Sequence, residues 1–447
     1  MHKPQIAIIG GGCAGLSAAA SLVDQGYAVT LFEASTALGG RARTVAVKRN
    51  TRLHLLDNGQ HILIGAYSAT LALLDKIGVD EKQVLLRLPL QMVTRNCQQK
   101  TVFSFKSLAY LPTPFDLLFA LLSCQGLRFA DRLAAIKLMT YLKIRRYQID
   151  HDCPLADFLL LHKQSTHLIS LLWEPLCLAA LNTPIAIAST QIFLNALRDS
   201  FAKQKTSKGK KNSDFLLPKT DLSSILAQPL SSYISAKGAE IKLNNRVTSI
   251  QLADHGFSLE SQDGLSFFSH VIIATPPANL AKLIAACPQL HQLATVTHGY
   301  QYQPIYTIYL QYADNLKLAN VMTGLSGTLT QWVFDKGQLC QQHGLIAVVI
   351  SGTGYHQTLS HEALALQVAE ELRLAFPDLS EPLWHQVIAE KRATFSCTID
   401  LARPAHKTQQ NNLYLAGDYS HGTYPATIEG AVRSGIACAN LIIQSDN

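Results

Sequence analysis

The sequence predicts an α/β protein, a parallel sheet flanked by helices and interleaved with a second, α+β domain. Two stretches predict it. Residues 5–9, Gln-Ile-Ala-Ile-Ile, are a short apolar run of the kind a buried parallel strand carries. Glycines and an alanine-rich helical stretch over 16–25 follow, and a second apolar run over 27–33 ends in an acid, Glu33. Strand, glycine turn, helix and strand together make a βαβ unit.

Length and composition bound the rest. A chain of 447 residues exceeds one ordinary core, so two domains are expected. We place 1–70, 215–285 and 400–447 in the first, and 71–214 with 286–399 in the second. Hydrophobic residues make up 48% and charged residues 15%, a well-buried globular composition that excludes a disordered chain. The net charge of +7, from 38 basic and 31 acidic residues, suits an anionic ligand or membrane surface. It is too small to argue for nucleic acid. The nine cysteines form no Cys-x-x-Cys pair and read as reduced, mostly buried thiols of a cytosolic protein. The N-terminus runs straight into the first strand and leaves no room for a signal peptide. Residues 175–197 carry no charge but contain Asn182, Thr183, Pro184, Ser189, Thr190, Gln191 and Asn195. They read as two buried segments broken at the proline, not as a membrane span.

Along the remaining chain, 104–147 alternates apolar blocks with Lys and Arg and reads as helices beginning after prolines 112 and 114. The basic run 203–213 reads as a loop at a boundary. A helix is expected over 222–237, then strands over 240–243, 247–252, 256–261 and 267–274. Two further strands fall at 300–312 and 345–351. A helix over 360–376 has Ser360 as its cap, a last strand covers 413–416, and a helix over 427–443 closes the chain.

Gly10-Gly11-Gly12-Cys13-Ala14-Gly15 fits Gly-x-Gly-x-x-Gly at the turn from strand to helix. Gly10 permits the tight turn, Gly12 lets a pyrophosphate approach the backbone, and Gly15 lets the helix pack close to the strand. The helix N–H groups then face the phosphates. Glu33 is placed to accept ribose hydroxyls and disfavours a 2′-phosphate, and hence NADP.

Glu33-Ala-Ser-Thr-Ala-Leu-Gly39-Gly40-Arg41-Ala42-Arg43 resembles the second signature of the amine oxidase and carotenoid desaturase flavoproteins. Leu413-Tyr-Leu-Ala-Gly417-Asp418, followed by Pro425-Ala-Thr427-Ile428-Glu429-Gly430-Ala431, resembles their C-terminal flavin motif. The resemblance covers nearly the whole chain. It implies a Rossmann-type (GR2-like) FAD-binding domain and an interleaved α+β substrate domain. The implied FAD contacts are Gly10, Gly12, Cys13, Ala14, Gly15, Glu33, Ala34, Gly40, Arg41, Gly59, Gln60, His61, Val247, Ala274, Gly417, Asp418, Thr427 and Ile428. Arg43 joins Arg41 in neutralising phosphate charge. No metal site is expected, and His291, His298, His343 and His356 read as surface or loop residues.

Three stretches narrow the reaction. Asp57-Asn-Gly59-Gln60-His61-Ile-Leu-Ile-Gly65-Ala-Tyr67 resembles a segment of plant-type phytoene desaturases. Leu172-Trp-Glu174-Pro-Leu-Cys-Leu-Ala-Ala-Leu-Asn182-Thr-Pro184 resembles the squalene-associated branch, as does Gly417-Asp-Tyr419 with Tyr424-Pro-Ala-Thr. The chain is therefore similar to the hydroxysqualene dehydroxylase family. The resemblance implies a reductive reaction in which a C30 alcohol loses its hydroxyl, gains a hydride and becomes squalene for hopanoid synthesis. Such chemistry needs an apolar tunnel, a proton donor and exclusion of water. His61, Glu174 and Tyr424 are the catalytic candidates, with Tyr419 a further possible donor. Each also has a plain structural reading: a packed histidine, a capping or paired acid, and tyrosines walling the pocket. Asp57 either orients His61 or holds the turn at Asn58-Gly59.

Partners follow from the substrate. A C30 isoprenoid resides in lipid, and the basic residues Lys106, Arg128, Arg132, Lys137, Lys143, Arg145 and Arg146 suit peripheral contact with an anionic inner membrane face by a cytoplasmic protein. The plain alternative is an amphipathic helix pair covering the substrate domain. The functional alternatives are an oxidative desaturase of squalene or a carotenoid precursor, an amine oxidase, and a non-catalytic flavin-binding carrier of squalene. Oligomeric state is not readable.

Overall fold

In the computed structural model, which describes residues 4–49, 52–202 and 209–446, the first apolar run is the middle strand of a five-stranded parallel sheet. Gln5–Ile9 pairs with Ala28–Phe32 on one side and His270–Ile273 on the other. Glu240–Lys242 and Leu413–Leu415 form the edges. The strands are short and almost wholly apolar, because both faces are covered. The helices Cys13–Asp24, Gln228–Ala236 and Ile428–Asp446 cover one. The three-stranded antiparallel sheet Ser249–Ala253, Gly256–Ser261 and Gly264–Phe268, with the short helix Leu280–Leu283, covers the other.

The first helix, Cys13–Asp24, starts earlier than expected, directly at the glycine turn. Gly10 takes φ +117°, and a side chain there would run into the carbonyl of Ala274. A Cβ on Gly15 would overlap the carbonyl oxygen of Gly10. The helix can therefore lie this close to its strand only with glycine at position 15. The closing helix, Ile428–Asp446, packs against the first one. Gly435 permits that contact, since a Cβ there would overlap Ala14 and Ser17. The Ser17 hydroxyl donates to the Val432 carbonyl at 3.2 Å across the same seam.

A seven-stranded, largely antiparallel sheet forms the second layer. Its order is Trp384–Phe395, Tyr302–Gln311, Leu345–Ser351, Trp332–Asp335, Met322–Leu325, Gln91–Arg95 and Thr101–Lys106. The long strand Trp384–Phe395 and the hairpin Thr44–Arg49 with Arg52–Asp57 lack clean alternation and are not evident from the sequence. The expected strand over 267–274 is two strands, Gly264–Phe268 and His270–Ile273, which pair in different sheets on either side of Ser269. Residues 104–106 belong to a strand; the helices in that region are Phe115–Ser123 and Phe129–Ile144, after the two prolines. The uncharged stretch 175–197 spans two helices, Glu174–Leu181 and Thr190–Phe201, separated at Asn182, which takes the left-handed conformation (φ 46°). The expected Ser360 cap is in place, its hydroxyl accepting from Ala363 N–H at the start of His361–Ala375.

Two expectations need correction. Residues 203–208 of the basic run lie outside the described residues, but 210–214 is no solvated linker. Lys211 Nζ meets the fully buried Asp116 carboxylate at 2.8 Å, Lys210 meets Glu81 at 3.0 Å, and Asp214 meets Arg87 at 2.9 Å. His356 is buried at 3% exposure, its ring edge-on to Tyr306, and does not lie on the surface. No described helix is long and apolar enough to cross a membrane.

Candidate active site

The parallel strands all end on one side, and there they face the seven-stranded sheet. Between them lies a cavity of about 830 Å³. Crevices beyond the carboxyl ends of parallel strands are where α/β sheets bind ligands. Ile9, Phe32 and Ala274 reach it from the strand ends, and Ile305, Met322, Trp332, Val349 and Thr394 from the opposing sheet.

One end of this cavity suits a dinucleotide. The first helix begins at Gly12 with no side-chain cap and no acidic residue in its first turn. Its leading N–H groups are thus left for an anion. Gly12 meets the Cα of Gly40 across the opening, so no side chain stands between helix tip and cavity. The Glu33 carboxylate is held by Gly11 N–H and Ser35 N–H, both at 2.8 Å, which fixes it at the cavity wall with acceptor capacity to spare. Arg41, Arg43, Asn245 and Val247 complete this end. The hydroxyls of Thr275 and Tyr419 are buried at the lining without hydrogen-bond partners. Unpaired buried polar groups of this kind point to a polar ligand.

Arg41 joins three parts of the chain. Its guanidinium donates to Asp418 Oδ2 at 2.7 Å and to the Ala393 carbonyl at 2.6 Å. The carboxylate raises the Arg41 pKa against a burial effect that lowers it. Arg403 supports the adjoining loop, donating to the carbonyls of Asp418, Tyr419, Gly422 and Tyr424. Neither this role of Arg403 nor that of Glu429 is evident from the sequence. Glu429, in the first turn of the closing helix, accepts from Ala69 N–H, Thr70 N–H, the Thr70 hydroxyl and Arg433. It thereby caps the helix Ser68–Lys76, whose own N-cap residue supplies no side-chain cap. The quoted C-terminal motif contains Glu429, but its partner lies 359 positions away in sequence.

The implied cofactor contacts gather at this one cavity. Gly10, Gly12, Cys13, Ala14, Glu33, Ala34, Gly40, Arg41, Gly59, Gln60, His61, Val247, Ala274, Gly417, Asp418, Thr427 and Ile428 all line it, as does Tyr424. Gly15 does not; it packs helix on strand instead.

The catalytic candidates fare unequally. Glu174 is half-buried at the start of its helix and is not brought to the cavity, although its neighbour Pro175 is. His61 Nδ1 lies 2.9 Å from the Gly59 carbonyl, a contact that puts the ring proton on Nδ1, and burial lowers its pKa. It is thus held neutral, a poor proton source. Asp57 does not touch it: the carboxylate takes Leu222 N–H at 2.9 Å and the Thr44 hydroxyl at 3.1 Å. Tyr424 donates its hydroxyl to Asp199 Oδ2 at 2.7 Å, and burial together with that carboxylate pushes its pKa well up.

Comparison with known proteins agrees with this geometry. The profile of the flavin-containing amine oxidoreductases matches residues 13–443. The chain belongs to that family. It is accordingly an FAD-dependent oxidoreductase, and the glycine turn, Glu33 and the unpaired hydroxyls fit that cofactor. The hydroxysqualene dehydroxylase of Zymomonas mobilis is 29% identical over 98% of both chains. The 15-cis-phytoene desaturase of Solanum lycopersicum is 24% identical, over 99% of this chain and 78% of the other. Among solved structures, an oxidoreductase from Methanosarcina mazei superposes with a TM-score of 0.74 at 16% identity, over 98% of this chain and all of the other. That last likeness establishes the same fold for this amine oxidoreductase.

Proposed function

We propose that this oxidoreductase is a hydroxysqualene dehydroxylase, removing the hydroxyl of hydroxysqualene reductively to give squalene. The observation that carries the reading is the continuity of a single cavity. Its nucleotide end passes into a wall of Leu90, Met92, Leu176, Leu178, Phe193 and Trp332. Such a wall suits an isoprenoid hydrocarbon. The full-length similarity to the Zymomonas enzyme supports the same choice over a desaturase.

Bound FAD, once reduced, would supply the hydride for the carbon that loses its oxygen and would be left oxidised. The residues of the chain do the rest. The backbone N–H groups after Gly12, with Glu33, Arg41 and Asp418, hold the nucleotide. The apolar wall excludes water from a carbon that becomes electron-poor as the hydroxyl leaves. That hydroxyl departs as water once it has received a proton. We assign its delivery to Tyr424, which lines the cavity: the phenol must turn from Asp199 to the departing oxygen to give up its proton, and solvent then restores that proton. We assign 1–70, 215–285 and 400–447 to cofactor binding and 71–214 with 286–399 to substrate.

The test is anaerobic incubation of the flavin-reduced protein with hydroxysqualene and mass spectrometry of the product. Squalene formed in step with flavin oxidation is expected. Flavin that stays reduced, or a product with an added double bond, would overturn the reading.

We also infer that the substrate enters from a membrane. Tyr110, Phe115, Phe119, Phe129 and Ile144 are all exposed, from 47% to 79%, on the segment that carries the basic residues. Lys106, Arg128, Lys137 and Lys143 are exposed among them and suit anionic headgroups. Arg132 and Arg145 do not share that role. Arg132 closes the preceding helix on the carbonyls of Leu122 and Cys124, and Arg145 pairs with Asp150. Flotation with vesicles containing anionic lipid is expected, and its loss when Phe115, Phe119 and Phe129 become serine. Wild-type protein that fails to float would remove the membrane from the account.

A further inference from the structure

The apolar half of the cavity contains few polar side chains, and one of them has unused capacity. Asn182 follows the helix Glu174–Leu181 and lines the cavity at 5% exposure. Its Nδ2 donates to Thr394 Oγ1 at 3.0 Å and, more weakly, to the Pro304 carbonyl at 3.4 Å. Its Oδ1 is buried and has no partner. A buried, unpaired amide oxygen is costly, and native proteins retain few without a use.

The local structure holds this amide firmly. The left-handed conformation at Asn182 turns the chain at the helix end, and asparagine tolerates it better than most residues. Thr183 locks the turn, donating to the Leu181 carbonyl at 3.0 Å and accepting from Cys397 N–H at 3.0 Å. Thr394 sits on the strand opposite and also lines the cavity. Because it accepts from Asn182, its own proton is free to be donated. The preceding residue, Ala393, receives Arg41 from the nucleotide end. The Asn182–Thr394 pair thus stands where the polar and apolar parts of the cavity meet.

We propose that Asn182 and Thr394 recognise the oxygen of an alcohol substrate, Asn182 Oδ1 accepting the substrate O–H and the Thr394 hydroxyl donating to the substrate oxygen. A hydroxyl is both donor and acceptor, and this pair offers one of each. The pair fixes the carbon–oxygen bond at the junction of the two halves and favours the alcohol over the hydrocarbon product. This inference rests on the hydroxysqualene reading and names the residues that select its substrate.

The test is binding to the oxidised holoenzyme, in which no turnover occurs, followed by perturbation of the flavin absorbance with detergent-dispersed ligand. Wild-type protein is expected to bind hydroxysqualene on the order of tenfold or more tighter than squalene, as a site built around a ligand hydroxyl does. Asn182→Gly keeps the left-handed turn without strain and is expected to bring the two affinities within about twofold, by weakening the alcohol alone. Thr394→Val, of the same shape, is expected to shift the ratio in the same direction. Equal binding of the two ligands by wild type, an unchanged ratio in Asn182→Gly, or a loss that falls on both ligands alike would each overturn the proposal. Any of these with squalene still formed by the reduced wild type removes this inference and leaves the function standing. Absence of that product removes the function, and this inference with it.

Discussion

Arg41 and Asp418, 377 positions apart, form an ion pair of 2.7 Å at the wall of the cavity. The aspartate side chain is buried at 6% exposure and the arginine is partly open. Removing either end is therefore unequal. Arg41→Ala leaves a buried carboxylate unpaired and is expected to lower FAD retention at least tenfold, about 1.4 kcal/mol. Asp418→Asn keeps a neutral acceptor for the guanidinium and is expected to cost less. The ratio of flavin to protein absorbance after desalting measures both.

The seam between the first and last helices sets a second expectation. Gly435→Ala places a methyl group on Ala14 and Ser17 and is expected to destabilise the fold by about 1–3 kcal/mol through overpacking. Gly299→Ala meets nothing within 4 Å and is expected to change little. Thermal unfolding of the two variants side by side, each with excess FAD, makes the comparison.

Arg403 gathers four backbone carbonyls of the segment 418–424, and its guanidinium stacks over Phe395 at 5.1 Å. Arg403→Met retains the stem and loses every one of these bonds. Two or more unsatisfied buried carbonyls cost on the order of 2–4 kcal/mol. The flavin absorbance band is expected to lose its resolved shoulders as Asp418 and Tyr419 loosen, and the segment is expected to become open to limited proteolysis. A variant with wild-type spectrum and protease resistance would show that the loop holds itself.

Acid is expected to destabilise the protein at an unusually high pH. Burial lowers the pKa of His61, His270, His356 and His406 in the folded state. The unfolded chain protonates these residues near pH 6.5 while the folded chain resists, so protons favour unfolding. Stability from these four is fully present above that pH and falls as the pH drops below it. Melting temperatures between pH 8 and 5.5 read the effect, and His356→Phe, which keeps the packing against Tyr306, is expected to flatten it.

The nucleotide half was legible because its determinants are local. A glycine at position 15 is demanded by the Gly10 carbonyl five residues earlier, and Glu33 binds the turn it follows by one strand. The catalytic half was less so. Glu174 sits in a motif of the right kind, yet it stands at the first position of its helix, just short of the cavity that Pro175, Leu176 and Leu178 line. Asp57 stands close to His61 in sequence but is taken by Thr44 and Leu222. Arg403 and Asp199 belong to no motif, and only their partners reveal a role.

By itself the sequence determined the parallel sheet, the glycine turn at its first helix and the anion site that follows, since each depends on neighbours within a few residues and on an apolar run long enough to be buried. Only the tertiary structure decided which polar groups meet. The pairing of Arg41 with Asp418, of Tyr424 with Asp199 and of Asn182 with Thr394 joins strands, loops and helices distant along the chain. Hydrogen bonds and ion pairs act over a few ångströms in space, and no pattern of local spacing records which distant segments packing will bring within that reach.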